Sequence, residues 1–403
     1  MKDLKISELD PNDVVIVAAK RTPLGSMLGH FADITAPDLG AVAIKSALAT
    51  LPINPGDIDE VIMGNVVSAG LKQAPARQAS LNAGVPTSVP CTTVNKVCGS
   101  GMKAAMFAHD QIKAGSAQIV IAGGMESMSR APYLMERARQ GYRMGHAQLL
   151  DSLFLDGLED AQTGGSMGTY GQTTADEEGF SREQMDDYAI ESLQRAKAAH
   201  AQGRFFSEIA PVEVKSRAGT STVDQDEQPG KASIEKIPNL RPAFKADGTV
   251  TAATSSSMSD GAAALVIMSA AKAAELDVVP LARIVAHASH AQAPNEFCKA
   301  PAGAISKVLD KANWKAGDVD LYEINEAFAV VSLYAMREHS LAHDRVNVNG
   351  GACAIGHPLG ASGARLLVTL LHALRTSGGH TGIASLCIGG GEATAVALEM
   401  CSS

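Results

Sequence analysis

Cys98 sits in Val94-Asn95-Lys96-Val97-Cys98-Gly99-Ser100-Gly101-Met102, where an irregular segment gives way to a helical pattern with Met102, Ala105, Met106, His109 and Ile112 on one face. A thiol there meets the free N–H groups and the dipole of a helix N-terminus, which favour the nucleophilic thiolate. Gly99 and Gly101 leave room for a substrate and for close helix packing. On this motif alone, a buried thiol at a tight turn fits equally well. His357 lies in Gly350-Gly351-Ala352-Cys353-Ala354-Ile355-Gly356-His357-Pro358-Leu359-Gly360-Ala361-Ser362-Gly363. A histidine is the side chain suited to take a thiol proton, although a lone loop histidine is more often an ordinary hydrogen-bonded residue. Cys387 follows the apolar run Gly382 to Leu386 and leads into Ile388-Gly389-Gly390-Gly391. Successive glycines let backbone N–H groups approach a ligand, as an oxyanion hole requires, and are also common in plain packing. Asn325, in Glu323-Ile324-Asn325-Glu326-Ala327-Phe328, ends another short apolar strand, and open α/β sheets bind ligands at the carboxyl ends of their strands.

The elements that must position these residues show an internal duplication. Ala36-Pro37 and Ala300-Pro301 each open a helical stretch. Gly56-Asp57-Ile58-Asp59 and Gly317-Asp318-Val319-Asp320 each lead into a short strand, and Gly99-Ser100-Gly101-Met102 matches Ala361-Ser362-Gly363-Ala364. Ile119 to Glu126 matches Leu386 to Glu392, so the second copy lies 261 to 266 residues after the first at all four anchors. Each half reads as one α/β unit with a mostly parallel sheet. Pseudo-twofold packing of the halves then brings the Cys98 and His357 helix starts together, which raises His357 from loop residue to candidate base. The first half carries an extra stretch from about 127 to 257, with one clear helix beginning at the capping box Ser181-Arg182-Glu183-Gln184. The chain divides into an N-terminal half, 1–275, and a C-terminal half, 276–403.

Composition removes several function classes. Against 43 Asp+Glu stand 34 Lys+Arg, a net charge of −9, so no broad basic field invites nucleic acid. With 46% apolar and 19% charged residues the chain builds packed cores, and 4% aromatics with 38 glycines suit tightly packed α/β layers. Lys272 interrupts the longest apolar candidate, Gly261 to Ala274, so no membrane span is expected. The polar, acidic opening Met1 to Asp13 carries no targeting pattern, and the expected location is cytoplasmic. Six cysteines form no CxxC pair, which indicates free thiols and no zinc site. Gly99 to Ala104 satisfies a loose dinucleotide pattern without the preceding strand, and Gly164 to Gly168 satisfies GxSxG without a nucleophile-elbow strand. His339 and His343 have metal-ligand spacing on one helix but lack a third ligand, which favours a solvated face.

Taken together, Cys98 in VCGSGMKA, Gly123 to Ser129, Asn325 in NEAFA, His357 in GHPLGASGA and Cys387 in CIGGGE resemble the signatures of the thiolases, in particular those that transfer acetyl groups from acetyl-CoA. The likeness runs from about Val14 to Glu399. It implies a duplicated, five-layer αβαβα fold with an inserted loop domain. It also implies acyl transfer between 3-ketoacyl-CoA and CoA, that is, reversible condensation of two acetyl-CoA to acetoacetyl-CoA. By resemblance Cys98 is the acylated nucleophile, His357 its base, and Cys387 the second acid/base at the substrate α-carbon. Asn325 is similar to the residue that shares a water-held oxyanion hole with His357, while the N–H groups of Cys98 and Gly389 resemble a second hole.

The inserted segment resembles the loop domain that covers the pantetheine arm, and Met167, Ser256, Ala327 and Phe328 match substrate-pocket positions. The sequence departs from relatives at Ser166, where His is usual, at Thr254 and Ser257, and over Asn295 to Lys299. An Arg that meets nucleotide phosphates in some members is absent, with Lys231 as a substitute. The resemblance implies no metal or redox cofactor, and a homotetramer with contacts from Arg130 to Gln148. A ketoacyl-synthase-like enzyme would place a second histidine at Asn325 and would not need Cys387, and a silent CoA-binding scaffold would have lost a reactive residue.

Overall fold

The computed structural model describes residues 4–217 and 219–402. Nine strands make most of an 11-stranded sheet: β1 (Val14–Arg21), β2 (Glu60–Gly64), β3 (Cys91–Val94), β4 (Ile119–Ser127), β5 (Ser259–Ser269), β6 (Ala282–Ala291), β7 (Leu321–Ile324), β8 (Thr381–Ile388) and β9 (Glu392–Ser402). Their order is β7-β8-β9-β6-β1-β5-β4-β2-β3. From the β6–β1 junction outward the order is the same on both sides, β9/β5, β8/β4, β7/β2, which is the duplication in three dimensions. Among the described residues, Ala282↔Ile16 and Arg283↔Val15 alone join β6 to β1, so the two halves of the sheet meet along a short seam.

Six helices matter for the site: α1 (Ala36–Leu48), α2 (Ser100–Lys113), α3 (Met167–Glu177), α4 (Arg182–Ala201), α5 (Ala300–Ala312) and α6 (Leu359–Ser377). Alternation along the strands assigns the layers. Ile16, Val120 and Leu265 face a core shared with Met102, Leu367, Ala384 and Leu386. Val15, Ile121 and Val266 face α1 instead, and Ile383 and Ala395 face α5. Thus α2 and α6 lie between the two half-sheets with α1 and α5 outside, giving helix–sheet–helix–sheet–helix. Every residue of α6 from Leu359 to Leu374 is buried, as the central layer demands.

The copies also repeat a local device. Asp59 accepts hydrogen bonds from the N–H groups of Gln118 and Ile119, at 2.7 and 2.9 Å. Asp320 does the same for His380 and Thr381, at 2.8 and 2.9 Å. These bonds correct the fourth sequence anchor. Ile119 corresponds to Thr381, so Met125, not Ile121, takes the place of Cys387, and the run that begins at Glu392 opens the next strand. The sequence match was drawn by the glycines, which sit inside β4 but in the β8–β9 turn.

Between β4 and β5 the inserted segment carries the predicted helix α4, whose Ser181–Gln184 capping box forms. It also contains α3, a helix that the sequence reading did not pick out, and a hairpin of Val212–Ser216 with Gly219–Val223. Glu326 fastens the insertion to the core: it accepts from Tyr188 Oη (2.9 Å) and Ser192 Oγ (2.8 Å) on α4, and from Asn347 Nδ2 and Cys353 N. His339 and His343 do not share a helix, because the helix stops at His339 with Ser340 left-handed; His343 stacks on Tyr188. Among the described residues no helix is long and apolar enough to cross a membrane.

Candidate active site

The turn before α2 is fixed from both ends. Ser100 Oγ accepts from Lys96 N at 2.8 Å and donates to Val97 O at 2.6 Å, and Asn95 Oδ1 accepts from Val97 N. They hold Val97 at φ +46°, a left-handed conformation costly for a β-branched residue, and so aim Cys98. The nucleophile candidate lies two residues before the first residue of α2, as the sequence placed it. Its burial, however, outweighs the helix terminus. Desolvation pushes the thiol up to about 11, against the lowering pull of the Gly389 and Cys98 N–H groups. Cys98 is therefore a thiol at rest and needs a base.

His357 stands two residues before α6, the repeat counterpart of α2, and the two helices cross closely. A Cβ on Gly363 would come 2.4 Å from Met102 N, and one on Gly101 2.9 Å from Ala364 N, so glycine at this repeated position permits the crossing. His357 N donates to Ser257 O at 3.1 Å, which ties its loop to the end of the inserted segment. Its tautomer follows from one hydroxyl. Ser362 Oγ donates to Pro358 O at 2.9 Å, so at 2.5 Å from His357 Nδ1 it acts as acceptor. The ring proton is then on Nδ1, and Nε2 carries the lone pair. Burial, helped by Arg365, drives the imidazole down to about 3, which keeps it neutral.

Asn325 follows β7 directly, with its N–H bonded to Ser385 O of β8. Arg365 Nη2 donates to Asn325 Oδ1 at 3.4 Å while its Nη1 reaches Glu323. Since a guanidinium only donates, the amide Nδ2 must face His357 Nε2, 3.4 Å away. Cys387 lies one residue before the end of β8, fully buried, and its thiol is pushed well above the ordinary value by burial, then by Cys298 and Cys98 nearby. Left-handed Gly390 and Gly391 make the tight β8–β9 turn that presents Gly389 to Cys98.

A cavity of about 220 Å³ opens onto this cluster, with Cys98, His357 and Gly389 in its wall. All four residues assigned to the substrate pocket, Met167, Ser256, Ala327 and Phe328, line it too. Cys387 and Asn325 lie behind that wall. The sequence reading missed Ser362 and Arg365, which orient His357 and Asn325, and the aromatic walls Phe154, Phe244 and Phe297. Arg365 left a signal, as the one charge in the apolar run of α6. Lys231 pairs with Glu227 at 2.5 Å and is half exposed.

The thiolase N-terminal domain model matches residues 14–271 and the thiolase C-terminal domain model residues 278–400. The chain belongs to the thiolase family. This thiolase is 49% identical to acetyl-CoA acetyltransferase 2 of Arabidopsis thaliana over 97% of its own length and 98% of that protein. The human mitochondrial 3-ketoacyl-CoA thiolase crystal structure superposes with a TM-score of 0.93 at 41% identity, covering 97% of this chain and 99% of that one. An Ascaris suum thiolase in complex with coenzyme A matches with a TM-score of 0.91 at 42% identity, covering 96% and 100%. The thiolase fold and acyltransferase class follow for this chain.

Proposed function

We propose that this thiolase works on short-chain 3-ketoacyl-CoA, condensing two acetyl-CoA to acetoacetyl-CoA and CoA and running the reverse cleavage. The observation that carries this reading is the cavity of about 220 Å³ lined by Phe154, Phe244 and Phe297 beside Cys98. Such a volume suits a short acyl group. The relatives named acetyl-CoA acetyltransferase agree with it.

In cleavage, His357 Nε2 takes the Cys98 proton as the sulfur attacks the 3-keto carbon. The tetrahedral oxyanion lies against the N–H groups of Cys98 and Gly389, which already point at the sulfur. The C2–C3 bond breaks, Cys387 protonates the departing acetyl-CoA enolate, and that enolate oxygen is held near Asn325 and protonated His357. CoA then gives its thiol proton to the Cys387 thiolate and takes the acyl group from Cys98, whose sulfur regains its proton from His357. Storing the acyl group and moving the α-proton are separate tasks, hence two thiols. The steps use only protein groups and CoA, so the reading assigns no cofactor.

In this reading the halves divide near Glu275 and the insertion covers the pantetheine arm. Exposed Tyr133, Tyr142 and Met144, the last 97% exposed, support the segment 130–148 as a contact in a homotetramer. Six free cysteines suit a reducing cytoplasm.

The test is CoA-dependent thiolysis of 3-ketoacyl-CoAs from four to about ten carbons, with acyl-enzyme formation followed by mass spectrometry. Cys98→Ala abolishes the acyl-enzyme, whereas Cys387→Ala still acylates from acetyl-CoA but does not condense. Preference for the longest chains, or loss of acylation in both variants, overturns the reading.

A further inference from the structure

Far from the cavity, three potential metal ligands converge. His109 and Asp110 are on the last turns of α2, and His287 is on β6 of the other half. His109 Nδ1 lies 3.1 Å and His287 Nε2 2.8 Å from the same oxygen, Asp110 Oδ1. The rings stand edge to face with centroids 4.8 Å apart, and the three donor atoms all lie within 4.8 Å of one another. A tetrahedral ion with bonds of about 2.0–2.1 Å needs donors about 3.3 Å apart. The two nitrogen–oxygen edges are already close to that, and the nitrogen–nitrogen edge closes by rotating side chains. Both imidazoles are largely buried, with 13% and 14% of their side chains exposed, while Asp110 is 55% exposed and leaves an approach from solvent.

We propose that His109, Asp110 and His287 form a site for one divalent transition-metal ion of the Zn2+ type, clamping the end of α2 to β6. Two nitrogens and one carboxylate, with a fourth position for water, suit Zn2+, Co2+ or Ni2+ and not Mg2+ or Ca2+. Burial keeps both rings below the ordinary histidine range, so at neutral pH each offers a lone pair once its proton moves to the far nitrogen. Lys103, Lys113 and Lys311 lie near enough to lower those rings further and oppose a cation. Binding therefore rests on the three direct ligands and not on a negative field. Nine steps of α2, about 14 Å, separate His109 from Ser100 at the helix start, beyond which Cys98 lies, so the ion is structural and takes no part in acyl transfer.

Co2+ is the probe, added to the full-length protein and followed by equilibrium dialysis and visible absorption. Wild type binds one more equivalent than either His287→Gln or Asp110→Asn, with d–d bands lacking the thiolate-to-metal charge transfer that binding at Cys98 or Cys387 would give. Zn2+ displaces it and excess Mg2+ does not; both variants keep wild-type thiolysis, which shows that they fold. Equal stoichiometry in wild type and both variants, a spectrum with thiolate bands only, or displacement by Mg2+ overturns the site. Because Asp110 is on the surface, Asp110→Asn serves if His287→Gln fails to fold.

Discussion

The crossing of α2 and α6 predicts a graded response to one added methyl group. In Gly363→Ala the new Cβ lands 2.4 Å from Met102 N and 2.7 Å from Met102 Cβ; ordinary contact begins at 3.4 Å, so the helices must part by about 1 Å. Backbone cannot rotate away as a flexible side chain can. In Gly101→Ala the nearest atoms, Ala364 N and Gly360 O, are at 2.9 Å, so about half that shift suffices. Overpacking of this kind costs about 1–3 kcal/mol, partly offset by about 1 kcal/mol of helix propensity gained on replacing glycine. Gly363→Ala therefore ends about 1–2 kcal/mol less stable, and Gly101→Ala close to neutral. The catalytic effect is larger, because each helix carries one partner of the Cys98–His357 pair at its start and a 1 Å misplacement costs on the order of 100-fold in rate. Thiolysis of acetoacetyl-CoA measures kcat/KM, and urea unfolding measures stability. Gly317→Ala is the control, with open space around its new Cβ. Gly363→Ala is expected to lose about 10- to 100-fold in kcat/KM and Gly101→Ala less. Wild-type kcat/KM in Gly363→Ala, or a greater loss in Gly101→Ala, would refute the reasoning.

Two further outcomes follow from the site. Cys98 is raised to about 11 and His357 lowered to about 3, so the resting pair is thiol and neutral imidazole, not thiolate and imidazolium. Iodoacetamide modification of Cys98, read by mass spectrometry, should accelerate about tenfold per pH unit up to pH 9, and a plateau below pH 7 would show a preformed thiolate. Phe297 packs edge to face on Phe328 in the cavity wall, with centroids 6.4 Å apart. Phe297→Ala should raise kcat/KM for eight-carbon relative to four-carbon 3-ketoacyl-CoA at least severalfold; an unchanged ratio would remove Phe297 as the limit on chain length.

Much of this protein was legible in its sequence, because the decisive signals are local. Cys98 beside its glycines, His357 in GHPLGASGA and the two Asp-led strand starts each combine residue type with a short-range backbone requirement, and repetition of such signals specified two copies of one α/β unit, while the five-layer stacking came from the resemblance to the thiolases. The register of the fourth repeat was not legible, since glycine runs match by composition while alignment is set by hydrogen bonds from Asp59 and Asp320. Nor could α3 be read, its first turns being rich in glycine and threonine and held by packing against the core.

The chemistry was settled by folding. Which nitrogen of His357 carries the lone pair depends on Ser362 giving its only proton to Pro358 O, and which way Asn325 faces depends on Arg365, 40 residues on in α6. The elevation of Cys98 reverses what a helix terminus alone would do, because desolvation is imposed by walls drawn from both halves and the insertion. Asp110 is 177 residues from His287, with His109 one further, and neither shares a pattern with it. Residue identity fixes what a side chain can do; its protonation, orientation and partners depend on neighbours that only the tertiary structure brings near.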